Sequence, residues 1–176
     1  MRRGQIRLLF ILIAFIYLGL DLACFSEDVV QTTEKVLSLE GIFRTSYALG
    51  GDLTGAKETG EAIYVAKGDN RKALKFLKGV LIEKARPVWT FNKRDLINII
   101  IFRGTLPTHG KIEITKLVSK GNSFELYTKY INFPDLDIPS QPAAIIPLGR
   151  LPRGKYSVSL YVDDQLRKKV EFKISR

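Results

Sequence analysis

Cysteine and histidine are almost missing from this chain: one of each stands among 176 residues. Cys24 lies in the N-terminal stretch, so the rest of the chain can form neither a disulfide framework nor a thiolate metal cluster. Stability has to come from packing. His109, between Thr108 and Gly110, cannot build a multi-histidine metal site, and no nucleophile-elbow sequence accompanies it to complete a hydrolytic triad. A dense basic tract is missing too. The 28 lysines and arginines, against 18 acidic residues, are scattered and never form a run of five. That pattern reads as solvated surface, or as attraction to anionic membranes, cell-wall polymers or acidic proteins, and not as a nucleic-acid-binding tract.

The chain also lacks a run long enough to cross a membrane. Leu8 to Leu20 gives 13 mainly apolar positions, where a spanning helix needs roughly 20. Arg2, Arg3 and Arg7 precede this run and Asp21 stops it, which is the order of an export signal. Cys24 and Ser26 are small residues at the minus-three and minus-one positions of a cut before Glu27. A retained N-terminus, or lipidation at Cys24, is the alternative and the only route to a membrane in this reading. The expected location is secreted or cell-envelope associated. Cleavage removes three arginines and one aspartate from the 28 basic and 18 acidic residues, leaving a net charge of +8.

Residues 27–60 are loop-rich, with glycines at 50, 51, 55 and 60. Residues 50–57 lack the Gly-Lys-Ser/Thr end of a phosphate loop and read as a connector. Residues 61–176 read as one β-rich domain with one helix. A short strand, Glu61 to Lys67, precedes a helix capped by Asp69 or Asn70, with Ala73, Leu74, Leu77, Val80 and Leu81 at helical spacing. Arg86-Pro87 ends it. Trp89 and Phe91 read as core.

Leu96 to Phe102 is continuously apolar apart from Asn98, as in a strand covered on both faces, and is expected to be central. Gly104, Pro107 and Gly110 then turn the chain into the alternation of Ile112 and Ile114, which predicts a hairpin with a long tip. Phe124 to Ile131 returns as a strand, and Pro134, Pro139 and Pro142 make 132–142 a surface crossing. A short edge strand interrupted by Pro147 follows. Two alternating strands around Asp163-Asp164 predict a final hairpin with Val158, Leu160 and Phe172 buried. The fold class expected is mostly β with one helix (α+β): an immunoglobulin-like antiparallel β-sandwich after residue 87, preceded by a strand–helix unit.

Residues 58–148 resemble the C-terminal domain of the protease-complex accessory subunit PrcB. The likeness rests on a short strand, a helix with Leu74 and Leu77, the entry at Asn92-Lys93, Ile97 to Gly104, and Pro107-Thr108-His109-Gly110-Lys111-Ile112-Glu113-Ile114. In that family Pro-Thr-Gly-Gly-Tyr and alternating isoleucines typically stand at the last place. The resemblance implies an exported, non-enzymatic subunit that assists or stabilises a protease complex. No catalytic residue, metal or cofactor is expected, since Asp135, Asp137, Asp163 and Asp164 read as turn chemistry and lack the spacing of a calcium loop. The expected partner is a protein, with contact through Arg103, Gly104, Pro107, Thr108, His109, Gly110 and Lys111 and through the 132–142 crossing. An extracellular protease inhibitor using an exposed loop is the alternative, and a hydrolase ranks below both.

Overall fold

The structure, a computed structural model, describes residues 33–45, 60–83, 85–135 and 139–176. The expected export signal at 1–26 and the 50–57 connector lie outside the described residues. In chain order the elements are β1 (Glu34–Val36), β2 (Phe43–Thr45), β3 (Ala62–Lys67), α1 (Asn70–Ile82), β4 (Thr90–Asn92) and β5 (Ile97–Phe102). They continue as β6 (His109–Lys120), β7 (Ser123–Phe133), β8 (Ala143–Gly149), β9 (Gly154–Val162) and β10 (Gln165–Ser175). Two sheets result, ordered β1-β6-β7-β9-β10-β4 and β2-β8-β5-β3. Among the described residues no helix is long and apolar enough to cross a membrane.

All six residues of β5 are buried, as its apolar run requires. Ile97, Ile99 and Ile101 enter the core between the sheets with Ile112, Ile114, Val158, Leu160 and Phe172. Ile100 and Phe102 face the other way and pack with Ala73, Leu77 and Leu81 of α1. The described residues from Thr33 on therefore form three layers, and β5 belongs to both cores. Asn98 is the one polar residue in the strand, and its Nδ2 donates to the Gly68 carbonyl at 2.6 Å. Gly68 N–H in turn donates to the Leu96 carbonyl at 2.8 Å, stitching the β3–α1 corner to the start of β5. A buried amide left without such a partner would be costly.

Asp69 caps α1 by accepting from the Lys72 N–H at 2.9 Å. Asp163 and Asp164, both at positive φ, form the two-residue turn between β9 and β10. At the start of β9 the Tyr156 hydroxyl donates to the Pro152 carbonyl at 2.8 Å, while its ring stacks on Phe124 and Phe172. This fixes the corner by which the chain re-enters the larger sheet. β7 and β9 lie side by side and parallel, because the chain visits the smaller sheet as β8 between them.

Several expectations are corrected. The hairpin expected between β5 and β6 does not form: β5 pairs with β3 and β8, and β6 pairs with β1 and β7. The stretch from Arg103 to Thr108 therefore passes from one sheet to the other. The strand–helix stretch is not a unit ahead of a sandwich that starts after residue 87, since β3 pairs along its whole length with β5 and α1 covers the same sheet. Trp89 is 37% exposed and outside the core, whereas Phe91 is buried. β1 and β2, from the stretch expected to be loop-rich, each form a sheet edge. β8, expected as an edge strand, instead lies between β2 and β5, and Pro147 pairs with Asn98 of β5 beyond the residues that β2 reaches.

Two-sided burial of β5 predicts that Ile99→Ala and Ile100→Ala, on opposite faces, each lose about 2 to 5 kcal/mol in urea unfolding. Lys168→Ala should stay within about 0.5 kcal/mol. Gly79 sits inside α1 with ordinary space around it, the nearest contact for an added Cβ being Glu83 Oε2 at 3.7 Å. Gly79→Ala should therefore raise stability by about 0.5 to 1 kcal/mol, read as a higher urea midpoint.

Candidate functional site

The chain changes sheets twice at the Phe102 end of β5. Residues 103–108 lead from β5 to β6, and residues 139–142 lead into β8 in the opposite sense. Running antiparallel, the two crossings pair: Leu106 N–H donates to the Ser140 carbonyl at 2.8 Å, and Ser140 N–H to the Leu106 carbonyl at 3.0 Å. Arg103 N–H donates to the Pro142 carbonyl at 2.9 Å. The two segments singled out by sequence are thus one structure.

Ser140, only 1% exposed, is the clamp. Its hydroxyl donates to the Thr108 carbonyl at 2.9 Å and accepts from the Gly110 N–H at 3.0 Å. Gln141 Nε2 donates to the Thr105 hydroxyl at 3.0 Å. Prolines on both sides of Ser140-Gln141 remove backbone donors and leave these two residues to hold the ridge. Gly110 is needed for close approach, since a Cβ there would stand 2.5 Å from Leu106 Cδ1 and 3.1 Å from Arg103 Nη1.

Arg103 braces the ridge from behind. Its Nη1 donates to the Ile131 carbonyl at 3.0 Å, its Nη2 donates to Asn132 Oδ1 at 2.6 Å, and the guanidinium lies 4.6 Å from the Tyr130 ring centroid. Burial pulls the guanidinium pKa below its ordinary value, opposed by the nearby Tyr130, Glu61 and Asp163. The Tyr130 hydroxyl is pushed strongly upward, first by burial and then by the Glu61 carboxylate, so it stays a neutral phenol. It forms no well-directed hydrogen bond among the described residues.

What remains outward is Thr105, Pro107, Lys111 and Pro139, all exposed, with His109 half-buried against the Phe133 ring at 5.4 Å. Lys111 Nζ lies 5.9 Å from the centroid of that ring. Of the residues expected to make contact, Pro107 and Lys111 are surface, Thr108 and His109 partly so, and Gly104 and Gly110 are buried. Sequence reasoning missed Ser140, Gln141 and Asn132 as builders of the site. The Pro-Ser-Gln-Pro spacing was the available signal.

Compared with protein-family models, with curated proteins and with solved structures, the chain finds no match. The class the fold defines is that of its described residues: mostly β, with two sheets and one covering helix.

The clamp predicts that Ser140→Ala costs about 1 to 3 kcal/mol by leaving the buried Gly110 N–H without its partner, and that Gly110→Ala also destabilises. Lys111→Ala should leave the melting temperature unchanged. Thermal unfolding followed by circular dichroism checks all three.

Proposed function

We propose that this chain is a non-catalytic binding module that attaches to a protein partner through the ridge of residues 103–111 and the crossing beside it. One observation carries the reading: Ser140, Gln141 and Arg103 hold two crossings together so that Thr105, Pro107, Lys111 and Pro139 stand outward on a pre-ordered backbone. A surface ordered before binding loses less conformational entropy on association. Loops carried on a packed sheet are also where recognition residues concentrate. In line with the resemblance over residues 58–148, the partner we propose is an exported protein complex, a protease among the candidates, and the location is extracellular or in the cell envelope.

We further propose that the sandwich is a variant of the immunoglobulin-like kind. The bond from the Tyr156 hydroxyl back to Pro152, at the corner where β9 begins, supports this, because a tyrosine corner marks such folds. The parallel β7–β9 neighbours distinguish this variant.

The contact residues follow from the bracing. Arg103 supports the ridge and is the wrong residue to change, whereas Pro107 and Lys111 are exposed. A photo-crosslinking residue at position 107 should capture a partner from the cell envelope or medium, and one at position 168 should not. The double variant P107R/K111E should lose that partner at an unchanged melting temperature. Undiminished capture by the double variant would defeat the reading, and inhibition of a captured protease would convert accessory binding into inhibition.

A further inference from the structure

β3 and β4 are edge strands of the two sheets. β3 turns at Gly68 into α1, and residues 85–89 cross without regular structure to β4. Between these elements lies a cleft of about 360 Å³. Its walls are Ala66, Phe76, Val88 and Phe91, and its polar groups are Lys67, Lys72 and Thr90. Val88 is 55% exposed, so an apolar side chain stands at this cleft with little over it.

The cationic side of the cleft is built in. Gly68 has φ +104°, and a Cβ there would stand 2.7 Å from Lys72 Cδ and 2.8 Å from Lys72 Cβ. The stem of Lys72 therefore lies against bare backbone, held at the cleft by a residue that also makes the corner. Lys67 follows Ala66 on β3 and is exposed. Among the described residues, none that lines the cleft is acidic.

We infer that this cleft binds a small amphipathic carboxylate of the fatty-acid class, its alkyl chain on Ala66, Phe76, Val88 and Phe91 and its carboxylate at Lys67 and Lys72. Two ammonium groups without a countercharge in the lining select an anion. An apolar interior selects a methylene chain. A peptide would have to pair its amides along the open edges of β3 and β4, whereas an alkyl chain needs only the apolar walls. The volume lies at the small end of ligand pockets, which favours a single chain of medium length over a two-chain lipid. The cleft shares no residue with the 103–111 ridge, so either assignment can fail without the other.

Trp89, the only tryptophan, stands between Val88 and Thr90 in sequence while lining a neighbouring pocket with Phe172, so its emission is read alongside calorimetry. Titrating the full chain with decanoate below its micelle concentration should give a saturable emission change, with one-to-one stoichiometry by calorimetry. Decanol, which keeps the chain and drops the charge, should bind roughly tenfold more weakly, and so should decanoate to the K67Q/K72Q variant. Val88→Glu should abolish decanoate binding with an unchanged melting curve, since the residue is exposed. A flat decanoate titration would overturn the inference. So would equal affinity for decanol and decanoate, full binding by V88E, or tighter binding of a short peptide ending in leucine.

Discussion

The fold depends on one constraint: β5 must be covered on both faces at once. A lone sheet on a lone sheet would leave Ile100 and Phe102 in water, and a helix on a lone sheet would leave Ile97, Ile99 and Ile101 there. Fully burying one such side chain is worth about 1.5 to 3 kcal/mol, so neither layer is dispensable. The three-layer arrangement follows, as does the short β3–α1 corner that returns the helix onto the sheet it has just left. Asn98 shows how tightly the constraint operates, since the one polar residue in the strand is spent on the carbonyl of that corner.

A strand with a second sheet on one face and a helix on the other has to hand the chain on past its own end. β5 does so through Arg103 and Gly104, and the chain comes back to β8 through Ser140 to Pro142. The two passages meet because they serve the same gap. Seen this way, the polar residues between Phe102 and His109 are partly structural. Arg103 holds the end of β7, Thr105 holds Gln141, and only the outward remainder is available to a partner.

Much of this was legible in the sequence. The unbroken apolar run of β5, the helical spacing from Ala73 to Leu81 and the alternation of β9 and β10 each report burial directly, and burial is what those patterns encode. The β5–β6 hairpin expected from sequence fails for a physical reason: alternation says which face of a strand is buried and nothing about which strand lies beside it. Ile112 would alternate with Lys111 and Glu113 equally well in the same sheet as β5 or in the facing one. The clamp at Ser140 was illegible because a serine between prolines states only that the backbone turns, while its two partners lie about 30 residues away in sequence. Scattered basic residues gave little positional information, and the structure puts Arg167, Lys168 and Lys169 on β10 away from its short pairing with β4. Charge on an otherwise open strand edge discourages unwanted strand addition, which accounts for that cluster without a ligand.

The ridge and the cleft stand at opposite ends of the same strand. β3 pairs Ala62 with Phe102 beside the ridge and Lys67 with Ile97 beside the cleft, so six strand residues separate the two. At the rise of a β-strand that is roughly 15 to 20 Å. The material between them is close-packed and has no hinge: every residue of β5 is buried and paired on both edges. Substitutions on the exposed sides of ridge and cleft share no partner across that distance, and their effects should therefore add. Changes within β5 are different in kind, because Ile97 or Phe102 supports one end of a strand that both surfaces are built upon.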